Sequence, residues 1–91
     1  MMDKRAHVFI YGDVVGVGFR SWAVTNARDL GLTGWVKNLS GDTVEVVFEG
    51  DKESIDEMIK RCEKGPSTSS VDDVEVKLED ATGEYEDFTI I

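Results

Sequence analysis

The sequence is poor in the residues that build disulfides, structural metal centres and membrane spans. It holds one cysteine, Cys62, and one histidine, His7, among its 91 residues, which excludes an internal disulfide and a structural zinc site. No apolar run reaches the roughly 18 residues that a membrane helix needs, and the start, Met1-Met2-Asp3-Lys4-Arg5, lacks the apolar core of a secretory signal. We therefore expect a reduced, cytoplasmic protein with no membrane segment.

Basic residues are also scarce. Ten lysines and arginines stand against nineteen acidic residues, which gives a formal net charge of −9. A nucleic-acid partner requires clustered cations, so we expect none. The acidic field repels small anions as well, and a phosphate site in this protein must therefore be locally positive. The length and even composition predict a single domain over residues 1–91, and we expect a monomer.

The pattern of apolar residues predicts the order βαββαβ, with a further β segment at the end. The predicted elements, in chain order, are a strand over residues 6–11, a helix over 21–30, strands over 32–39 and 43–49, a helix between Gly50 and Gly65, a strand carrying Val74, Val76 and Leu78, and a short strand at Phe88 and Ile90. Two helices on one face of an antiparallel sheet form a ferredoxin-like α+β sandwich. Because unrelated modules share this fold, it does not by itself predict a function.

A glycine-rich segment, Gly12 to Arg20, joins the first predicted strand to the first predicted helix. Such a turn directs several backbone N–H groups toward one point, where the positive end of the helix dipole also lies. The positive charge of Arg20 is unfavourable beside the positive end of the helix dipole. A bound anion reverses this, because the helix end and the guanidinium of Arg20 both attract it. The chain has no Gly-Lys-Ser/Thr for a Walker A loop, and it is too short for a doubly wound dinucleotide fold. The segment predicts an anion site of another kind.

Two other side chains have a structural and a functional interpretation. Asn38, just before a predicted hairpin turn, is either a turn residue or a neutral group that holds a water molecule. His7 is either a solvated residue of the open sheet face, which we expect, or a catalytic histidine. Cys62 lies in the apolar stripe of the second helix and is expected to pack in the core. Phe9 and Tyr11 resemble the base-stacking platform of an RNA reader, but acidic residues on the third predicted strand oppose RNA.

Two motifs carry a family resemblance. The segments Gly12-x-Val14-x-Gly16-Val17-Gly18-Phe19-Arg20 and Gly34-Trp35-Val36-Lys37-Asn38-Leu39 resemble the signature pair of the acylphosphatases, and the likeness extends over nearly the whole chain. The resemblance implies hydrolysis of a small acyl phosphate to a carboxylate and phosphate, with no metal, no other cofactor and no covalent intermediate. It assigns catalysis to Arg20 and Asn38, which bind the phosphate and position the attacking water. It assigns substrate binding to the backbone amides of Val15, Gly16, Val17, Gly18, Phe19 and Arg20.

The chain departs from the family pattern at Val15, where the family usually has glutamine. Valine keeps the backbone N–H of the phosphate cradle but removes an amide side chain from its rim. This leaves an alternative open, in which the chain is a non-catalytic module that binds phosphate or an acyl phosphate.

Overall fold

A computed structural model describes residues 3–91, so Met1 and Met2 lie outside the described residues. The elements follow the predicted order. They are β1 (Lys4–Asp13), α1 (Phe19–Asp29), β2 (Thr33–Leu39), β3 (Thr43–Gly50), α2 (Lys52–Lys64), β4 (Ser70–Asp80) and β5 (Phe88–Ile90). The first helix begins two residues earlier than its pattern indicated, directly after Gly18. None of the helices within residues 3–91 is long and apolar enough to cross a membrane.

The strands form one sheet in the order β4-β1-β3-β2-β5. The pairs β1–β3, β1–β4 and β2–β3 are antiparallel, which confirms the ferredoxin-like arrangement for the first four strands. The terminal strand β5 differs, because it runs parallel to β2 at the far edge of the sheet. Between β4 and β5 the chain crosses the open face, where the hydroxyl of Tyr85 accepts hydrogen bonds from Arg5 of β1 and Trp35 of β2.

The core lies between the sheet and the two helices. Alternate residues of β1 (Ala6, Val8 and Ile10) are fully buried against apolar side chains of both helices. Cys62 of α2 belongs to this core, as the apolar stripe predicted. Burial, with a smaller contribution from nearby Glu63, raises the pKa of its thiol to about 12.

The open face of the sheet carries charged and aromatic side chains. His7 lies on this face as predicted, but its surroundings are not simply solvated. Its Nε2 lies 2.6 Å from Glu45 Oε2, and its ring packs 4.9 Å from the ring of Phe9 and 6.3 Å from that of Trp35. Phe9 belongs to β1 and shares the face of His7 by alternation, whereas Glu45 comes from β3 and Trp35 from β2. The alternation within β1 contains no information about these last two partners.

Candidate active site

The loop between β1 and α1 depends on two glycines. Gly16 has a φ of 77° and Gly18 a φ of 83°, a left-handed conformation that other residues adopt only with strain. A Cβ atom added at either glycine would meet no atom of the described residues within 4 Å. Glycine is therefore required at both positions for the backbone conformation and not for space.

The beginning of α1 is open to an anion. Gly18 is its N-cap, no side chain among residues 3–91 accepts from the first N–H groups, and the first turn contains no acidic residue. The helix α2 is different, because the carboxylate of Asp51 accepts from the N–H of Ser54 at 2.8 Å and Glu53 lies in the first turn. The first N–H groups of a helix have no partner within it. Those of α1 are consequently available to an external acceptor.

The guanidinium of Arg20 adds a charge at the same place. The side chain is exposed, and it pairs with no carboxylate within residues 3–91, whereas Arg5, Arg28 and Arg61 each form an ion pair. Because its cationic charge is not neutralised by the protein, Arg20 makes the start of α1 locally positive despite the acidic composition of the chain.

A cavity of about 140 Å³ lies at this end of α1. Its lining residues are Val14, Gly16, Gly18, Phe19, Arg20, Ser21, Asn38 and Ile90. The cavity brings together both predicted catalytic residues, Arg20 and Asn38, and four of the six predicted cradle residues, since Arg20 belongs to both sets. The side chains of Val15 and Val17 point elsewhere and pack against the core, so these two residues have only backbone groups to offer to a ligand.

Asn38 lies within β2, opposite Val44 of β3, and not in the hairpin turn. Its Oδ1 atom is buried and has no hydrogen-bond partner in the part of the chain that the structure describes. A buried acceptor without a donor costs about 1–3 kcal/mol. An O–H group in the cavity would remove this cost, which makes Asn38 suited to hold a water molecule.

Three lining residues were not found from the sequence. Val14 lies within the quoted motif and Ser21 directly follows it, so their position in the sequence was a signal for both. Ile90 gave no signal, because its place depends on the parallel pairing of β5 with β2. In that pairing Ile90 lies opposite Val36, and the N–H of Ile91 donates to the Val36 carbonyl at 3.0 Å.

Larger grooves lie elsewhere on the described part of the molecule. One, of about 380 Å³, lies between the start of α2 and β4, and another, of about 620 Å³, lies beside Trp22 and the end of α2. Two more, of about 450 and 420 Å³, lie beside Gly41 and Tyr85. Among residues 3–91, the start of α1 lines none of these four grooves. The smaller cavity is therefore the better candidate for phosphate chemistry.

Comparisons with known proteins identify the family of the chain. The model of the acylphosphatase family matches residues 6–90. An acylphosphatase of Roseiflexus sp. (strain RS-1) is 49% identical over 92 aligned residues, which cover 100% of this chain and 99% of that protein. The acylphosphatase of Pelotomaculum thermopropionicum is 44% identical, with 99% and 98% of the two chains covered.

Solved structures give the same result. The crystal structure of the Bacillus subtilis acylphosphatase superimposes with a TM-score of 0.93 at 28% identity, covering 97% of this chain and 98% of that one. The structure of an acylphosphatase from Coxiella burnetii has a TM-score of 0.88 at 36% identity, covering 99% and 94%. By sequence and by fold, the chain belongs to the acylphosphatase family, the enzymes that hydrolyse acyl phosphates.

Proposed function

We propose that the cavity at the start of α1 binds the phosphoryl group of an acyl phosphate and directs water onto it. One observation supports this most directly. Within residues 3–91, Arg20 has no carboxylate partner and the buried Oδ1 of Asn38 has no donor, and both residues line the same small cavity. An anion and a water molecule would satisfy the two groups together.

In this proposal the backbone amides from Val15 to Arg20 and the guanidinium of Arg20 hold the terminal phosphoryl oxygens. Asn38 Oδ1 accepts a hydrogen bond from a water molecule placed in line with the leaving group. Phosphoryl transfer depends on positioning and charge stabilisation more than on a protein nucleophile. Arg20 has the largest effect, because charge develops on the equatorial oxygens in the transition state.

The reaction needs no side-chain acid or base. The bond between phosphorus and the acyl oxygen breaks, and the water oxygen forms the new bond to phosphorus. The carboxylate leaves as a weak base, which requires no proton donor. The substrate's own phosphoryl oxygen accepts the proton of the water, so the products are a carboxylate and inorganic phosphate.

The non-catalytic alternative is not favoured by the comparisons, since the matched relatives are acylphosphatases along almost their whole length. Val15 is the residue that made this alternative possible. Its side chain packs against the core. Valine carries a backbone N–H as glutamine does, so the substitution keeps this donor of the cradle. Turnover by the wild-type chain separates the two functions, because a binding module would hold phosphate without releasing a carboxylate.

The first experiment measures hydrolysis of benzoyl phosphate in the presence of a chelator, for the wild type and for Arg20→Ala. We expect metal-independent turnover that falls by about 10²–10³-fold in the variant. Lys60→Ala is the matched control, since it removes an exposed cation from α2 that lines a different groove. Absence of turnover by a folded wild type would contradict the proposal, and Val15→Gln would then separate an impaired enzyme from a binding module.

We further propose that the enzyme acts as a cytoplasmic monomer in which residues 1–91 form one domain, without metal or nucleic acid. The candidate site does not require a second copy, because Arg20 and Asn38 of the same chain both line the cavity. The excess of acidic residues opposes nucleic acid. Sedimentation velocity at working concentration tests the oligomeric state, and a dimer would contradict this part of the proposal.

A further inference from the structure

The loop that follows α2 contacts the candidate phosphate cradle. In this loop, the hydroxyl of Thr68 donates a hydrogen bond of 2.7 Å to the backbone carbonyl of Val17. Val17 lies between Gly16 and Gly18, the two residues with positive φ. The contact thus joins a remote segment of the chain to the middle of the glycine-rich loop.

This hydrogen bond bears on the direction of a cradle amide. The peptide bond between Val17 and Gly18 is planar and trans, so the Gly18 N–H points opposite to the Val17 carbonyl. Gly18 lines the candidate cavity, whereas Val17 does not. Glycine populates positive and negative φ with similar ease, so this peptide is free to rotate unless something holds its carbonyl. Thr68 supplies that restraint.

The loop that carries Thr68 is itself well supported. The N–H and the hydroxyl of Ser69 both donate to the Pro66 carbonyl, at 2.9 and 2.8 Å. A Cβ atom added at Gly65 would lie 2.5 Å from Ser69 Oγ and 3.1 Å from Phe19 Cε2. Since Phe19 is the first residue of α1, the loop packs closely against the same helix start that lines the cavity.

We propose that Thr68 is a positioning residue of this enzyme. Its hydroxyl holds the Val17–Gly18 peptide so that the Gly18 N–H stays directed into the phosphate cradle. Thr68 acts through the backbone and is absent from the lining of the cavity. The inference rests on the proposed function, because it requires that the cradle holds the phosphoryl group.

Substitution of Thr68 tests the inference. Thr68→Val removes the donor and keeps the shape of the side chain, and Thr68→Ser keeps the hydroxyl. We expect the inhibition constant for inorganic phosphate to rise about fivefold in Thr68→Val, the effect of one net hydrogen bond, and kcat/KM to fall by at least as much. Thr68→Ser should restore both values. Ser67→Ala is the matched control, because Ser67 is exposed and absent from the cavity lining.

Two further measurements separate this inference from its premise. Amide chemical shifts of Gly16 and Gly18, followed while inorganic phosphate is added, show whether the wild type binds phosphate in the loop. Absence of any shift in the wild type would overturn the proposed site itself. Wild-type binding with an unchanged inhibition constant in Thr68→Val would overturn the role of Thr68 alone. Melting temperatures exclude a general loss of stability, since the exposed Thr68 should change them little.

Discussion

Arg20 and Asn38 face one cavity although the strands that lead to them are not neighbours. Arg20 follows β1 by way of the glycine-rich loop, Asn38 lies in β2, and β3 separates these two strands in the sheet. The loop and α1 therefore pass over β3 to reach the end of β2. This crossing brings a cation and a residue with a buried amide oxygen into the lining of one cavity.

Replacement of Asn38 should affect turnover more than phosphate binding. We expect Asn38→Ala to lower kcat for benzoyl phosphate by about 10²-fold or more, because the attacking water loses its acceptor. The inhibition constant of inorganic phosphate should stay near the wild-type value, since Arg20 and the loop amides remain. Initial rates with and without phosphate measure both quantities. Full turnover in this variant would show that Asn38 does not position the water.

The glycines of the loop allow a matched pair of variants. Gly16→Ala should reduce the free energy of unfolding by about 1–2 kcal/mol, because alanine at a φ of 77° is strained. It should also impair turnover, because relief of that strain rotates the cradle amides. Gly41→Ala has the same φ of 77° and equally open surroundings, but Gly41 does not line the candidate cavity.

Urea unfolding and benzoyl phosphate hydrolysis compare the two variants. We expect similar losses of stability, with wild-type turnover retained only in Gly41→Ala. Equal turnover in both variants would mean that the conformation of Gly16 has no part in catalysis.

Glu49 should make stability depend on pH in the acid range. Its carboxylate is only 4% exposed, and burial raises its pKa. Hydrogen bonds from the N–H groups of Thr82 and Gly83, the Thr82 hydroxyl and Arg5 outweigh burial, so the net pKa lies below its ordinary value. A carboxyl group whose pKa is lowered by folding stabilises the protein above its unfolded pKa, about 4.3. This stabilisation is lost as the pH falls through the lower folded pKa.

The variant Glu49→Gln tests this dependence. We expect it to lose about 2–3 kcal/mol of unfolding free energy at pH 7, the value of hydrogen bonds to a charged group. It should also lose less additional stability than the wild type between pH 5 and pH 2. Glu63→Gln is the control, because Glu63 is exposed and forms no ion pair within residues 3–91. Parallel acid-unfolding curves for all three proteins would contradict the prediction.

Cys62 should be inert in the folded protein. Its thiol is buried and its pKa is raised to about 12, so almost no thiolate is present at neutral pH. A thiol-reactive chromogenic disulfide should label the native protein only at the rate of unfolding. Addition of urea should then release one equivalent of chromophore. Rapid labelling without denaturant would show that the thiol is accessible.

The local sequence determined the order of the secondary-structure elements and the main features of the candidate site. Apolar periodicity and strand-forming composition predicted the elements, and Gly16, Gly18 and Arg20 predict an anion site without reference to any tertiary contact. Cys62 was placed in the core by helical spacing alone. These features depend on residues close together in the chain, where periodicity, backbone conformation and the helix dipole are all expressed within a few positions.

The tertiary structure decided what meets at the cavity. Whether Asn38 faces the glycine-rich loop depends on β3 lying between β1 and β2. Ile90 reaches the cavity only because β5 pairs in parallel with β2, and Thr68 reaches the loop only because the segment after α2 packs on Phe19. Strand pairing and loop packing join segments far apart in sequence, and their free energy comes from burial across the whole fold. Local sequence patterns do not predict such contacts. The sequence alone therefore determined the elements and the positive charge of the candidate site. The tertiary structure decided which residues line its cavity.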